Sequence, residues 1–137
     1  MPNKPEISQI LGVDYGDAKI GLAIADLETK IATRLTTLSN NKGLFEDLIK
    51  IIRENEITTV VIGVPSYINS EDVQYPSEDF GYTLKNLLPE IEIQFANEMF
   101  STKIAQTNLI EKGIKGIKKH DHEEAARIIL QGWLDSK

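Results

Sequence analysis

The chain contains no cysteine, which removes thiol nucleophiles, disulfides and every zinc site built on thiolates. A metal would have to be held by carboxylates, backbone oxygens or the two histidines, a donor set suited to hard divalent cations such as Mg²⁺ or Mn²⁺. Long apolar runs are also missing. The longest, at 60–64 and at 125–130 with Arg127 inside it, fall far short of the roughly 20 residues that span a bilayer. The opening residues, MPNKPEISQ, have neither the apolar stretch nor the small-residue cleavage site of a secretory signal, so a cytoplasmic location is expected. Positive charge is in deficit: 15 Lys+Arg against 21 Asp+Glu give a formal net charge of −6. That balance excludes a broad polyanion-binding surface and leaves room for a local basic patch. Internal repeats, low-complexity tracts and Pro/Ser-rich linkers are absent too. At 137 residues the expectation is a single domain over 1–137 with a flexible tail at 1–5.

What is present is a folding chain, with 41% apolar and 26% charged residues, ordinary for a globular protein. The run 7–14, ISQILGVD, becomes apolar towards its end, as a strand entering a buried sheet does. Tyr15, Gly16 and Asp17 supply turn chemistry before a second strand at 20–25, and a polar break at 26–30 precedes a β-branched third strand at 31–38. Phe45, Leu48, Ile49 and Ile52 recur at helical spacing, with Asn40 and Asn41 as cap candidates. The β-branched run 57–63 reads as a strand buried on both faces and stops at Val64-Pro65. A polar segment, 66–77, leads to a helix over 78–88 that Pro89 ends. Residues 90–96 alternate about Ile91, Ile93 and Phe95 as a half-exposed strand. Two helices close the chain. One covers 102–112; the other covers 123–134, with Ala125, Ile128, Ile129 and Trp133 on its buried stripe. The order β-β-β-α-β-α-β-α-α implies an α/β fold, a mixed five-stranded sheet flanked by helices, with the strands that follow helices parallel to the first.

Asp14 ends an otherwise apolar strand, where a buried charge is costly unless it meets a cation or several donors. Gly16 in the next turn leaves room for a ligand beside the backbone, and Lys19 can contact a phosphate. Glu98 repeats the design at the end of the strand 90–96. Ligands of open α/β sheets gather at the carboxyl ends of parallel strands, so Asp14 and Glu98 converge if their strands are neighbours. A third ligand comes from Asp121, His122 or Glu124 at the start of the last helix. Converging carboxylates and substrate phosphate oxygens suit Mg²⁺ or Mn²⁺ and phosphodiester hydrolysis. Lys112, Lys115, Lys118 and Lys119 lie in the loop that leads to this site and form the expected substrate-binding patch. His120 reads as a solvated loop residue.

Four ordered motifs carry a resemblance across nearly the whole chain. They are Asp14-Tyr15-Gly16 with Lys19-Ile20-Gly21-Leu22-Ala23 and Asp26; Val61-Ile62-Gly63-Val64-Pro65; Asn97-Glu98-Met99-Phe100-Ser101-Thr102; and Glu124-Ala125-Ala126-Arg127-Ile128-Ile129-Leu130-Gln131. Together they resemble the YqgF/RuvX family, Holliday-junction-resolvase-like proteins also described as pre-16S rRNA nucleases. The resemblance implies a ribonuclease H-like fold and a metal-dependent nuclease that cuts phosphodiester bonds in ribosomal precursor RNA or branched DNA. Asp14 and Glu98 would be its first two acidic residues, with Ser101 and Thr102 among the substrate contacts. The family reads Asp-Glu-Arg where this chain has Asn97-Glu98-Met99, so one carboxylate and one arginine are missing. Its third aspartate aligns with His122, while Asp121 stands one residue earlier.

Two other readings compete. A catalytically weakened relative would bind structured RNA or a ribosomal particle through the same face, which the missing arginine and His122 favour. An actin-like kinase would use the Asp-x-Gly turn for phosphate, but such kinases close two related domains over a nucleotide and this chain supplies one. A monomer and a homodimer are both compatible with the sequence.

Overall fold

The computed structural model describes residues 8–64, 75–97 and 121–137. The expected tail, the helix over 102–112 and the lysine-rich loop lie outside the described residues, as do most of the segment 66–77 and the residues Glu98, Ser101, Thr102 and His120.

The first strand, β1 (Gln9–Tyr15), is apolar enough to be buried on both sides, and its alternation divides the molecule into two layers. Leu11, Val13 and Tyr15 face one core; Ile10, Gly12 and Asp14 face the other. Strand β2 (Lys19–Asp26) pairs antiparallel with β1, and β3 (Thr33–Ser39) pairs antiparallel with β2. Helix α1 (Leu44–Glu54) follows, then β4 (Ile57–Val64), α2 (Pro76–Leu87), β5 (Glu92–Asn97) and α3 (His122–Asp135). The strands lie in the order β3-β2-β1-β4-β5. β4 is parallel to β1, and β5 is parallel to β4. This is the mixed five-stranded sheet expected from the sequence. Among the described residues no helix is long and apolar enough to cross a membrane.

Helices α1 and α2 cover one face through Leu48, Ile52, Phe80 and Leu84, packed on Leu11, Val13, Leu22 and Ile62. Helix α3 covers the other, with Ala126, Ile129, Leu130 and Leu134 against Ile10, Ala23, Ala25 and Val61. Small residues dominate the sheet under α3. A Cβ on Gly12 would stand 2.7 Å from the Leu130 Cβ, so this helix sits closer to the strands than a larger residue would permit.

Four local details depart from the sequence reading. The cap of α1 is Gly43, because the Asn41 side chain accepts a hydrogen bond from the Gly43 amide just outside the helix. Helix α2 starts two residues earlier than expected, at Pro76, whose fixed φ suits a first helical turn; the Glu78 carboxylate accepts from the Tyr75 amide. Strand β5 starts at Glu92, since Pro89 and Glu90 fall in the turn after α2. The buried stripe of α3 is Ala125, Ala126, Ile129, Leu130 and Leu134, while Ile128 and Trp133 are only half buried. The adjacent alanines let the helix settle on a face rotated from the one that its larger apolar residues suggest.

Candidate active site

The carboxyl ends of β1, β4 and β5 lie at one end of the sheet, since Val13 pairs with Ile62 and Val64 with Asn97 in parallel register. Asp14 stands at that end with 2% of its surface exposed. Its partner across the β1–β2 ladder is Gly21. A Cβ on Gly21 would come within 2.0 Å of the His122 carbonyl oxygen, so only glycine lets the first turn of α3 rest on the sheet beside Asp14. The imidazole then reaches down: His122 Nδ1 is 2.9 Å from Asp14 Oδ2, and the ring lies over Gly16, whose Cβ would stand 3.1 Å from Cε1. Two glycines of the first motif thus make the space that the histidine fills.

Asp121 points elsewhere. It is the N-cap of α3, accepting from the Glu124 amide at 3.1 Å, and it receives the Arg34 guanidinium at 3.1 and 3.3 Å. Its neighbour Glu123 accepts from the Thr37 hydroxyl at 2.8 Å and lies 3.6 Å from Arg34 Nε. The start of α3 is therefore tied to β3 by two acidic side chains, which leaves the imidazole between them to face Asp14. Glu124 is committed to Arg127, with contacts of 2.9 and 2.6 Å, and this hydrogen-bonded carboxylate raises the arginine pKa. Lys19 is exposed at the same end of the sheet. Sequence reasoning passed over Arg34 and Thr37, although an arginine among the threonines and leucines of β3 marks a strand position with a task other than packing.

Of the expected site residues, Asp14, Gly16 and His122 come together, and Asp121 stands beside them with its carboxylate turned to β3. Glu98, Ser101, Thr102, Lys118 and Lys119 lie outside the described residues, although β5, which leads to Glu98, ends at Asn97 on the Asp14 side of the sheet. Among the described residues no three His, Asp or Glu side chains gather in a metal-holding group. The pair that is present nevertheless fits a cation. A distance of 2.9 Å accommodates Nδ1–H donating to the carboxylate. It also equals the separation of adjacent ligands, about 2.9 Å, around an octahedral ion with bonds of about 2.05 Å.

A mixed sheet in the order β3-β2-β1-β4-β5, with helices on both faces and a buried aspartate at the end of its central strand, is the ribonuclease H-like fold. Two solved structures have this architecture. The resolvase of Fowlpox virus superposes with a TM-score of 0.63 at 11% identity, covering 94% of this chain and 99% of that one. RuvC of Thermus thermophilus, solved with a Holliday junction substrate, gives 0.59 at 14% identity with 94% of each chain covered. These likenesses establish the fold. Residues 8–136 match the sequence model of the RuvX family, described as Holliday junction resolvase, and the chain belongs to that family. A relative from Staphylococcus haemolyticus, named "Putative pre-16S rRNA nuclease", is 38% identical over 136 residues, spanning 93% of this chain and 96% of that protein. One of the same name from a Sulfurihydrogenibium species is 33% identical over 132 residues, spanning 94% and 91%.

Proposed function

We propose that the protein is a metal-dependent nuclease that hydrolyses phosphodiester bonds in nucleic acid, with Asp14, His122 and Glu98 around one divalent cation. The observation that carries this reading is the buried Asp14 carboxylate 2.9 Å from the His122 imidazole at the carboxyl end of β1. A core carboxylate at that place is costly unless it serves a cation or donors. Family membership supports the same chemistry. When bound, Mg²⁺ or Mn²⁺ neutralises charge on the scissile phosphate and activates water. The residues of this chain provide the rest. Asp14 anchors the site from a rigid strand, His122 supplies a nitrogen donor fixed by the first turn of α3, and Gly16 gives the imidazole room to lie beside Asp14. Lys19 is placed to attract the phosphate backbone, and Lys118 and Lys119 extend that attraction. Asp121 serves by fixing the helix start.

The preferred substrate in this reading is pre-16S rRNA, as the names of the relatives suggest, with branched DNA as the second substrate to test. The decisive experiment compares wild type with Asp14→Asn on single-stranded RNA, precursor rRNA and four-way DNA, each with Mg²⁺ or Mn²⁺. Wild type is expected to cleave one of them, and Asp14→Asn to lose at least about a hundredfold in rate while remaining folded without metal. Equal cleavage by both proteins removes Asp14 from the site. Binding without metal-dependent cleavage turns the assignment to an RNA- or ribosome-binding protein.

A further inference from the structure

On the face of the sheet opposite α3, but at the same end as Asp14, a cavity of about 260 Å³ opens between β1 and the first turns of α1 and α2. Its walls include three rings: Tyr15, Phe45 and Phe80. Tyr15 and Phe80 have centroids 5.0 Å apart, and Phe45 stacks on Phe80 at 5.5 Å. Phe80 is buried, whereas Tyr15 and Phe45 remain half exposed. Asn40, Asp79 and Thr83 supply an amide, a carboxylate and a hydroxyl to the lining. The volume lies below the range of about 300–1,000 Å³ usual for drug-sized ligands and suits one planar ring system. Rings with polar groups beside them are what a nucleobase needs, a face to stack on and partners for its edge. The carboxylate of Asp79 disfavours a phosphate as the occupant.

The cavity is joined to the catalytic pair through three consecutive residues. Asp14 faces His122 and Tyr15 faces the cavity, as adjacent strand residues must. Gly16 links the two sides, since it lies under the His122 ring and its carbonyl accepts from the Asn40 amide at 2.8 Å. A nucleic-acid strand whose phosphate reaches Asp14 crosses the end of β1 within one residue of Tyr15. We propose that the cavity receives one unstacked nucleobase adjoining the cleaved phosphodiester, so that the protein acts on single-stranded or locally unpaired nucleic acid rather than on continuous duplex. This inference rests on the nuclease reading above and adds the class of substrate. A base held in a cavity must first leave its stack, which costs least where it is already unpaired.

Fluorescence anisotropy of end-labelled single-stranded oligonucleotides, measured in EDTA so that nothing is cleaved, tests the pocket itself. In a series with an abasic residue at each position in turn, wild type is expected to bind one member about tenfold more weakly than the intact strand. Thr83→Trp, which fills the cavity from an exposed helical position, should bind the intact strand as weakly as wild type binds that member and should show no positional effect. Phe45→Leu keeps apolar bulk while removing a ring; it should weaken the positional effect and serves if Thr83→Trp fails to fold. Uniform tolerance of abasic residues by wild type, or a positional effect undiminished in the folded variants, overturns the proposal. If Asp14-dependent cleavage persists beside uniform tolerance, the base pocket falls and the nuclease reading stands. A positional effect in a protein that cleaves nothing supports the pocket and removes the nuclease.

Discussion

Asp121 and His122 are neighbours at the start of α3, yet their side chains serve different ends because successive helical residues point about 100° apart. The sequence leaves the third ligand open between them, since an aspartate just before a helix is as natural an N-cap as it is a metal ligand. The geometry divides the tasks: Asp121 accepts from the Glu124 amide and from Arg34, and His122 meets Asp14. The need of Asp14 for a partner was legible, because a carboxylate closing an apolar strand is costly to bury without a donor or a cation. Arg34 was not, since its role depends on a contact 87 residues away. Removing the cap by Asp121→Ala should cost about 1 kcal/mol of stability. Arg34→Ala, which breaks an exposed pair with 49% of the arginine side chain accessible, should cost less than about 1 kcal/mol. Urea unfolding of both variants checks the order, and an arginine variant less stable than the cap variant would make the β3 tie the stronger hold on the helix.

Among the described elements, the five strands and three helices followed from alternation and helical spacing, while their packing distances did not. Glycine leaves no apolar signal, so the close seat of α3 on Gly12 and Gly21 was invisible until the layers met. This is where the site is most sensitive. Gly21→Ala would drive a methyl group to within 2.0 Å of the His122 carbonyl, with rigid backbone on both sides. It should destabilise the protein by about 3 kcal/mol, at the upper end of ordinary overpacking, and should reduce activity even at temperatures where the variant is folded. Gly81→Ala offers the comparison on the other face. Its Cβ would meet the tip of the Phe95 ring at 2.9 Å and Ile62 Cδ1 at 3.0 Å, side-chain ends that can shift. A smaller loss of stability and no loss of folded-state activity is expected; matched losses in the two variants would separate helix seating from function. The β2–β3 turn gives a prediction about pH. The Thr29 amide donates to Asp26 at 2.6 Å and, as the main cause, holds that carboxyl below the usual range. A group with a depressed folded pKa stabilises above its unfolded pKa and ceases to as the pH falls through the folded value. Asp26→Asn should therefore melt slightly lower than wild type at neutral pH, and the gap should close in the acid range. A gap that is constant with pH would mean that the carboxylate charge is not what the turn uses.

At the scale of the whole molecule, the sheet brings to one end what the chain keeps far apart, and a ligand bound there must stabilise the entire fold. A cation that binds only the folded protein raises stability by about 2.7 kcal/mol at a concentration 100 times its Kd, enough to raise the melting temperature by several degrees in a protein of this size. The melting curve thus reports on the site without relying on cleavage. Imidazole nitrogen suits Mn²⁺ better than Mg²⁺, which prefers oxygen and near-ideal octahedral geometry. Wild type should accordingly gain more from Mn²⁺ than from Mg²⁺ at equal concentration. Asp14→Asn should lose most of both gains. His122→Asp should reverse the preference by restoring an all-oxygen donor set, and the nuclease activity supported by Mg²⁺ should rise with it. Asp121→Ala should shift the baseline through the lost cap while leaving the increment from metal nearly unchanged, because that carboxylate is turned to Arg34. If the increment vanishes in Asp121→Ala and survives in His122→Asp with its metal order unchanged, the helix presents Asp121 to the cation, and the 2.9 Å contact between His122 and Asp14 is a hydrogen bond of the metal-free protein alone.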